Sequence, residues 1–211
     1  VKPLVADFLA ERGLTPSEEK TKITHITDGF DFLGFNVRKF GDTLLTQPSK
    51  DRTKRMLSKV KDEIKRFRGD AQHELIMRLN PILNGWANHY KHSAASNVFR
   101  KTDYQIYKKL WRWALRRHGN KCKGWVKNRY FHRIDGRDWV FAVKRKNEKH
   151  EEYFIPITIL FNTKIERYPQ LKCDVNPFDP EWKQYLEKRR TAKMKMSLKG
   201  KRSLISTVSY T

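Results

Sequence analysis

Cysteine is nearly absent from this chain: of 211 residues only Cys122 and Cys173 are cysteines. They stand far apart and form no CxxC pair, which argues against a zinc knuckle or ribbon. Free thiols of this kind fit a reducing compartment, a bacterial cytoplasm or an organellar stroma or matrix. Long apolar runs are missing too. The best candidate, residues 155–161, is far short of the ~18 residues of a membrane span and contains Pro156, so no membrane partner is expected. Val1-Lys2-Pro3-Leu4 has the pattern of neither a signal peptide nor a transit peptide. His118, His132 and His150 lack ligand partners at metal-binding spacing, so no metal site is expected. Acidic residues are scarce, 23 against 46 Lys plus Arg, for a net charge of +23.

The excess of positive charge is concentrated. Residues 1–49 carry 6 basic and 7 acidic groups, residues 50–130 carry 22 and 6, residues 131–180 carry 9 and 8, and residues 181–211 carry 9 and 2. A surface charged only for solubility would not be partitioned in this way. A net +16 over residues 50–130 is the electrostatic footprint of a polyanion-binding protein, with nucleic acid the leading ligand. A hydrophobic fraction of 38% with 12% aromatics is enough for folded cores.

Periodicity predicts the framework. Leu4, Val5, Phe8 and Leu9 recur at helical spacing over residues 1–14, with Gly13 as the stop. Asp28-Gly29 and Gly41-Asp42 are turn signals. Between them Phe30 to Val37 reads as one strand, and Thr43 to Thr46 closes a hairpin. Ser49 is a good N-cap for a helix from Lys50 to Phe67 whose apolar stripe is Leu57, Val60, Ile64 and Phe67. A second helical region runs from Ala71 to Lys91 on Leu75, Ile76, Leu79, Ile82 and Leu83. Pro81 is expected to kink or restart it near Asn80, because proline removes a hydrogen bond. A third helix, Asn97 to Arg117, buries Phe99, Ile106, Leu110, Trp113 and Ala114. Residues 138–144 and 153–156 then read as a β-hairpin. Asn176 to Pro180 leads to a short helix over Glu181 to Arg190, and a Lys- and Ser-rich tail follows.

Within the basic block, the run Asn80-Pro81-Ile82-Leu83-Asn84-Gly85-Trp86-Ala87-Asn88-His89-Tyr90 combines polar and aromatic residues in a helix-compatible pattern. Asn competes with the helical backbone for hydrogen bonds and is a poor generic filler there. Asn, Trp and Tyr can together hydrogen-bond and stack, which is what bases and riboses offer a protein.

These residues carry a resemblance. Gly13-Leu14, Glu19-Lys20-Thr21-Lys22-Ile23 and Gly29-Phe30-Asp31-Phe32-Leu33-Gly34-Phe35 resemble the last palm motifs of group II intron reverse transcriptases. The Asn80 to Tyr90 run resembles the core of their maturase domain, also called domain X or the thumb. Leu110-Trp111-Arg112-Trp113-Ala114, Arg116-Arg117-His118 and Trp125-Val126-Lys127 with Tyr130-Phe131 are similar to that domain's end. Arg137-Asp138-Trp139-Val140-Phe141 and Asn176-Pro177-Phe178 with Glu181-Trp182 and Tyr185 are similar to the approach to the DNA-binding region. The resemblance implies an α+β, mainly α fold: a palm-terminal β-hairpin over residues 1–48, a three-helix thumb bundle over 49–130, a small β-hairpin and helix region over 131–190, and a basic flexible tail over 191–211.

The resemblance also sets limits. The family's polymerase site needs a Tyr-Ala-Asp-Asp box and an earlier Asp to hold two metal ions, and this chain has no Asp-Asp pair. Nor does it have the paired cysteines and histidines of the endonuclease module found in many relatives. It looks like the C-terminal portion of such a protein, with no polymerase site and no cofactor of its own. Mg2+ is expected only for a complete polymerase or for the intron RNA. The implied partners are group II intron RNA, the template–primer duplex and target DNA, with a separate fingers-palm chain as a further candidate. Two other readings stand beside it: a subunit of a split RNA-directed DNA polymerase completed in trans, and a generic basic RNA-binding protein or decayed fragment.

For single residues, sharp and bland readings run in parallel. Lys20 aligns with a lysine that could protonate leaving pyrophosphate if a palm were supplied in trans; otherwise it is a solvated turn residue. Phe32, Leu33, Gly34 and Phe35 resemble the primer-grip hairpin, although such aromatics more often pack as core. Gly34 would allow close backbone approach or a bulge. Lys50, Arg52, Lys54, Arg55, Lys59, Lys61, Lys65 and Arg66 are candidates for RNA phosphate contacts along the first thumb helix. Trp86 reads as a bundle anchor before a stacking residue, whereas Asn84, Asn88 and His89 are candidates for RNA contact. Trp111 lies off the buried stripe of its helix, leaving stacking or an interdomain contact. Arg112, Arg116 and Arg117 suit bidentate phosphate recognition, and Lys188, Arg189 and Arg190 suit nonspecific DNA or RNA binding.

Overall fold

A computed structural model describes residues 2–17, 21–69, 71–148, 150–166 and 175–191 of the chain. Lys20 and the tail beyond Thr191 lie outside the described residues. The fold is α+β, mainly α. It divides into two compact units, Val1–Arg167 and Tyr168–Thr211.

Helix α1, Lys2–Ala10, is shorter than its periodicity suggests. Gly13 ends it at φ +69°, with hydrogen bonds from its N–H to the Ala10 carbonyl and from Leu14 N–H to Leu9. This is a Schellman ending, and glycine supplies the left-handed residue at little cost. Leu4, Val5 and Phe8 of its apolar side are exposed.

The first sheet is a meander of β1 (Phe30–Phe32), β2 (Phe35–Phe40) and β3 (Thr43–Pro48). The single strand expected over Phe30 to Val37 is in fact two strands. Leu33 and Gly34 fold it back at φ +49° and +87°, pairing Phe32 with Phe35. Two consecutive left-handed residues match the twist of a tight hairpin, so Gly34 serves a turn and not a bulge.

Ser49 caps α2, Lys50–Arg66, accepting from Arg52 N–H. Its buried stripe is Met56, Val60 and Ile64, so Met56 takes the place expected of Leu57, which is only partly buried. Helix α3, Gln72–Tyr90, continues as one helix through Pro81 without the expected restart. Leu75, Ile76, Leu79 and Leu83 are fully buried along one stripe, continued by Ala87 and Tyr90. Burying each large aliphatic side chain is worth roughly 1.5–3 kcal/mol. That burial on both sides of Pro81 outweighs the one hydrogen bond the proline removes, and its ring points to the exposed side. Helix α4, Ser96–Arg117, buries Phe99, Thr102, Ile106, Leu110, Trp113 and Ala114.

Two elements had no sequence signal. Helix α5, Lys123–Tyr130, is capped by the Cys122 sulfur, and β4, Phe131–Ile134, begins where it ends. With β5 (Arg137–Lys146) and β6 (Glu152–Pro156), β4 turns the expected hairpin into a three-stranded antiparallel sheet of order β4-β5-β6. The β4–β5 register shifts between His132 and Ile134, and Trp139 on the opposing strand takes φ +62°. A bulky residue there costs on the order of 1–3 kcal/mol.

Helix α3 ties both sheets to the bundle. Tyr90 Oη donates to the Gly34 carbonyl at 3.1 Å, and Ala94 N–H donates to Thr46 just beyond the helix. Gln72 Nε2 donates to the carbonyls of Tyr130 and Ala142. Asn80 Nδ2 donates to Pro156, and its Oδ1 accepts from Thr158 N–H at 2.8 Å. Asp103 of α4 accepts from Leu160 and Phe161 N–H, both at 2.9 Å. Burial nevertheless raises its carboxyl above the usual range, against the pull of those N–H groups and of Arg137. In the second unit, Asp179 caps the turn Pro180–Trp182, which continues into a helix over residues 183–191.

Two outcomes are expected. Asn80→Ala leaves two backbone groups of the 156–158 segment without their partner. It should lower stability by about 1–3 kcal/mol in chemical denaturation; a loss below ~0.3 kcal/mol would count against the bridge. His132, tucked against the Phe154 ring, has its pKa lowered from 6.5 by burial and by Lys144. Protonation is thus resisted in the folded state. Its contribution to stability is complete above pH 6.5 and is lost as pH falls toward the depressed folded value. Melting curves from pH 7.5 to 5 should fall less steeply for His132→Gln than for the wild type.

Candidate nucleic-acid interface

Helices α2 and α4 lie side by side in the same sense. Lys61 is near enough to Lys109 to depress its pKa, and at the other end Trp113 and Arg117 reach the end of α2. Trp113 Nε1 donates to the Phe67 carbonyl at 3.0 Å. Arg117 donates to Arg68 at 3.1 Å and to Gly69 at 3.4 Å, with its guanidinium 4.8 Å from the Trp113 ring centre. The last carbonyls of a helix lack internal partners and carry partial negative charge. Here Trp113 supplies a donor to the C-cap carbonyl of α2, and Arg117 bonds the two carbonyls that follow it.

Between the two helices opens a cleft of about 570 Å³, lined by Lys61, Ile64, Lys65, Arg68, Lys109, Arg112, Trp113, Arg116 and Arg117. Seven of these nine are cations and none is a carboxylate. Ile64 and Trp113 form a buried apolar floor. Lys61, Lys65, Arg68, Lys109, Arg112 and Arg116 form no ion pair among the described residues. Lys109 is half-buried, and its pKa is lowered by burial and then by Lys61 and Arg112. Like charges gathered over a low-dielectric floor focus a positive potential into the cleft. An anion bound there would relieve both the repulsion and the cost to Lys109.

The cleft gathers Lys61, Lys65, Arg112, Arg116 and Arg117 out of the longer set of sequence candidates. Lys50, Arg52, Lys54, Arg55, Lys59 and Arg66 do not line it. Arg55 is paired with Asp51 at 2.9 Å. Arg52 lies against the turn at Gly34, where an added Cβ would meet its Cγ and Nε at 3.1 Å and Tyr90 Oη at 3.3 Å. Asn84, Gly85, Asn88 and His89 form a separate exposed face of α3. The His89 ring lies 5.4 Å from Phe35 and 4.6 Å from Tyr90. Phe32 and Leu33 are exposed at the hairpin tip, while Phe35 packs on the core. Trp86 is partly buried, 5.3 Å from Phe99. Trp111 packs on Phe131 and Trp139, so its place off the α4 stripe serves the second sheet. Lys188 and Arg190 are exposed and Arg189 half-buried on the helix of the second unit. Among the described residues no His, Cys, Asp and Glu cluster could hold a metal ion, and no helix is long and apolar enough to cross a membrane.

Sequence reasoning missed Arg68 and Lys109. Helical spacing carried part of the signal: 61 and 65 share one face of α2, and 109, 112 and 116 one face of α4, while Arg68 lies just past the end of α2.

A basic helical bundle with a carboxylate-free cleft defines a class, the nucleic-acid-binding helical domains. Residues 53–131 match the family model of the group II intron maturase-specific domain. That segment takes in α2 from Thr53, all of α3, α4 and α5, and every residue lining the cleft. A search of curated proteins found no match to the chain. Residues 53–131 are therefore a maturase-specific domain, which indicates a maturase function in group II intron splicing.

Gly34→Ala tests the packing of the hairpin tip. A Cβ there is strained at φ +87° and crowded by Arg52 and Tyr90. Alanine at positive φ should cost at least ~1 kcal/mol, read as a lower midpoint in urea; an unchanged midpoint would disprove the crowding.

Proposed function

We propose that the cleft between α2 and α4 is where this chain grips intron RNA, and that binding alone is its contribution. Seven cations without a carboxylate, all within the maturase-specific segment, carry the reading. Folding an intron brings phosphate backbones close together, and their repulsion opposes the active shape. Lys and Arg in the cleft displace condensed counterions and offset that repulsion. The RNA then performs its own splicing chemistry. Asn84, Asn88 and His89 offer hydrogen-bonding edges on a second face, suited to riboses or unpaired bases. The exposed Phe32 and Leu33 support a contact with a template–primer duplex or a separate fingers-palm chain. Lys188, Arg189 and Arg190 are suited to target DNA.

The test is binding and splicing with cognate intron RNA. A Lys61→Ala, Lys109→Ala, Arg112→Ala triple variant should bind at least tenfold more weakly near 150 mM salt. Its log-affinity against log-salt slope should flatten by roughly 2 units, since each phosphate contact contributes about 0.7–0.9. Splicing at limiting protein should slow in parallel. A folded triple variant with unchanged affinity and slope would overturn the assignment. Equal binding of intron and unrelated RNA would reduce the chain to a generic basic RNA binder.

A further inference from the structure

The far side of α4 carries a different surface. At about 100° per residue, Tyr104, Tyr107 and Trp111 lie roughly opposite Lys109, Arg112 and Arg116. There α4 meets the second sheet in a cluster of rings: Trp139 lies 5.5 Å from Trp111, 6.2 Å from Tyr107 and 6.1 Å from Phe131. Trp111 and Tyr107 are only partly buried, and Tyr104 and Trp139 are 55% and 43% exposed. The Tyr104 and Tyr107 rings are nearly parallel, 20° apart.

Three observations make this more than leftover core. Trp139 holds φ +62° at the bulge between β4 and β5 while the next three residues, Val140, Phe141 and Ala142, are buried. A bulge of this kind re-aims the side chain it carries, and bulges are over-represented beside functional sites. Cations also accompany the rings: Lys127 Nζ lies 5.5 Å over Trp139 and Lys108 Nζ 4.5 Å over Tyr104. Finally, the acids nearby are engaged, Asp138 with Arg133 at 3.7 Å and Asp103 with two backbone N–H groups. Exposed aromatic faces with adjacent ammonium groups are the recognition chemistry of single-stranded nucleic acid, in which bases stack and phosphates pair with cations.

We infer that Trp139, Tyr107 and Tyr104 form a stacking platform for unpaired RNA bases, with Lys108 and Lys127 contacting the flanking phosphates. The site is separate from the α2–α4 cleft and deepens the RNA-binding reading, on which it rests for the class of its ligand. The cleft recognises charge, which duplex and single strand share. The platform needs bases freed from pairing.

The experiment measures fluorescence anisotropy of the full chain with three labelled RNAs: octaadenylate, an abasic octamer with the same backbone, and a base-paired hairpin. The wild type should bind octaadenylate about tenfold more tightly than the abasic octamer, as stacking of one or two bases requires. Trp139→Gly, which relieves the positive φ, and Tyr104→Ala, at an exposed helix position, should each bring that ratio toward one without changing hairpin affinity. If Trp139→Gly fails to fold, Tyr104→Ala decides alone. Equal binding of the two octamers by the wild type overturns the platform and leaves the patch as a protein-facing surface. So does a ratio that survives in the folded variants. If the hairpin fails to bind while octaadenylate is still preferred, the cleft reading falls and the platform stands.

Discussion

Seven cations facing one another across a single cleft repel, and the bundle has to hold them there. What opposes the repulsion is the apolar seam beneath. Val60 and Ile64 of α2 and Ile106, Leu110 and Trp113 of α4 are all buried in one core. The second restraint is polar. Trp113 and Arg117 donate to carbonyls of residues 67–69, the C-cap of α2 and the two residues that follow it. The two helices are thus joined by groups that also position cations. Arg117 lines the cleft and closes its end, so the geometry of the site and the stability of the bundle are not separable there. Phosphate would complete the arrangement by supplying the negative charge that the lining residues lack.

Helix α3 sets where everything else sits. Its apolar stripe fills the centre of the core. Its polar side chains reach outward, Gln72 and Asn80 to the second sheet and Tyr90 to the first. An Asn in mid-helix is a poor choice for the helix itself. Asn80 is explained by its two hydrogen bonds to the segment around Thr158, which give a part-buried backbone donor and an exposed acceptor their partner. The Asn80 to Tyr90 run therefore holds three tasks on one helix. Asn80 and Tyr90 fasten the sheets, Leu83 and Ala87 fill the core, and Asn84, Gly85, Asn88 and His89 remain exposed.

The three long helices were legible because each buries one stripe at 3.6-residue spacing, and the caps at Ser49 and Gly13 follow familiar chemistry. Helix α5 was not legible, for a physical reason. Its eight residues bury only Val126 and Tyr130, and its cap is a cysteine sulfur, which sequence rules do not count as a cap. The turn at Leu33-Gly34 hid because leucine at φ +49° contradicts local preference and is imposed by strand pairing on both sides. For the site, charge density located the region but not the cleft. Basic residues on a helix read as faces. Which faces meet is decided by the order of helices in the bundle, and that is why Arg68 and Lys109 were not among the sequence candidates and why Lys54, Lys59 and Arg66 fall outside the cleft.

Helix α4 is charged on one side and aromatic on the other, and the two sides do different physical work. Electrostatic binding scales with the number of phosphates engaged and barely distinguishes paired from unpaired RNA. Stacking is available only where a base has left its helix, and it is tolerant of which base that is. A protein that must stabilise one folded RNA among many needs both, because charge alone would favour any compact polyanion. A single rigid helix also fixes the distance between the two sides. With both surfaces binding as proposed, the geometry would select an RNA that presents a helical backbone and an unpaired segment to opposite faces of the domain at once. On this argument specificity would come from the spacing between two individually unselective surfaces, which α4 sets by packing its own Leu110 and Trp113 into the core.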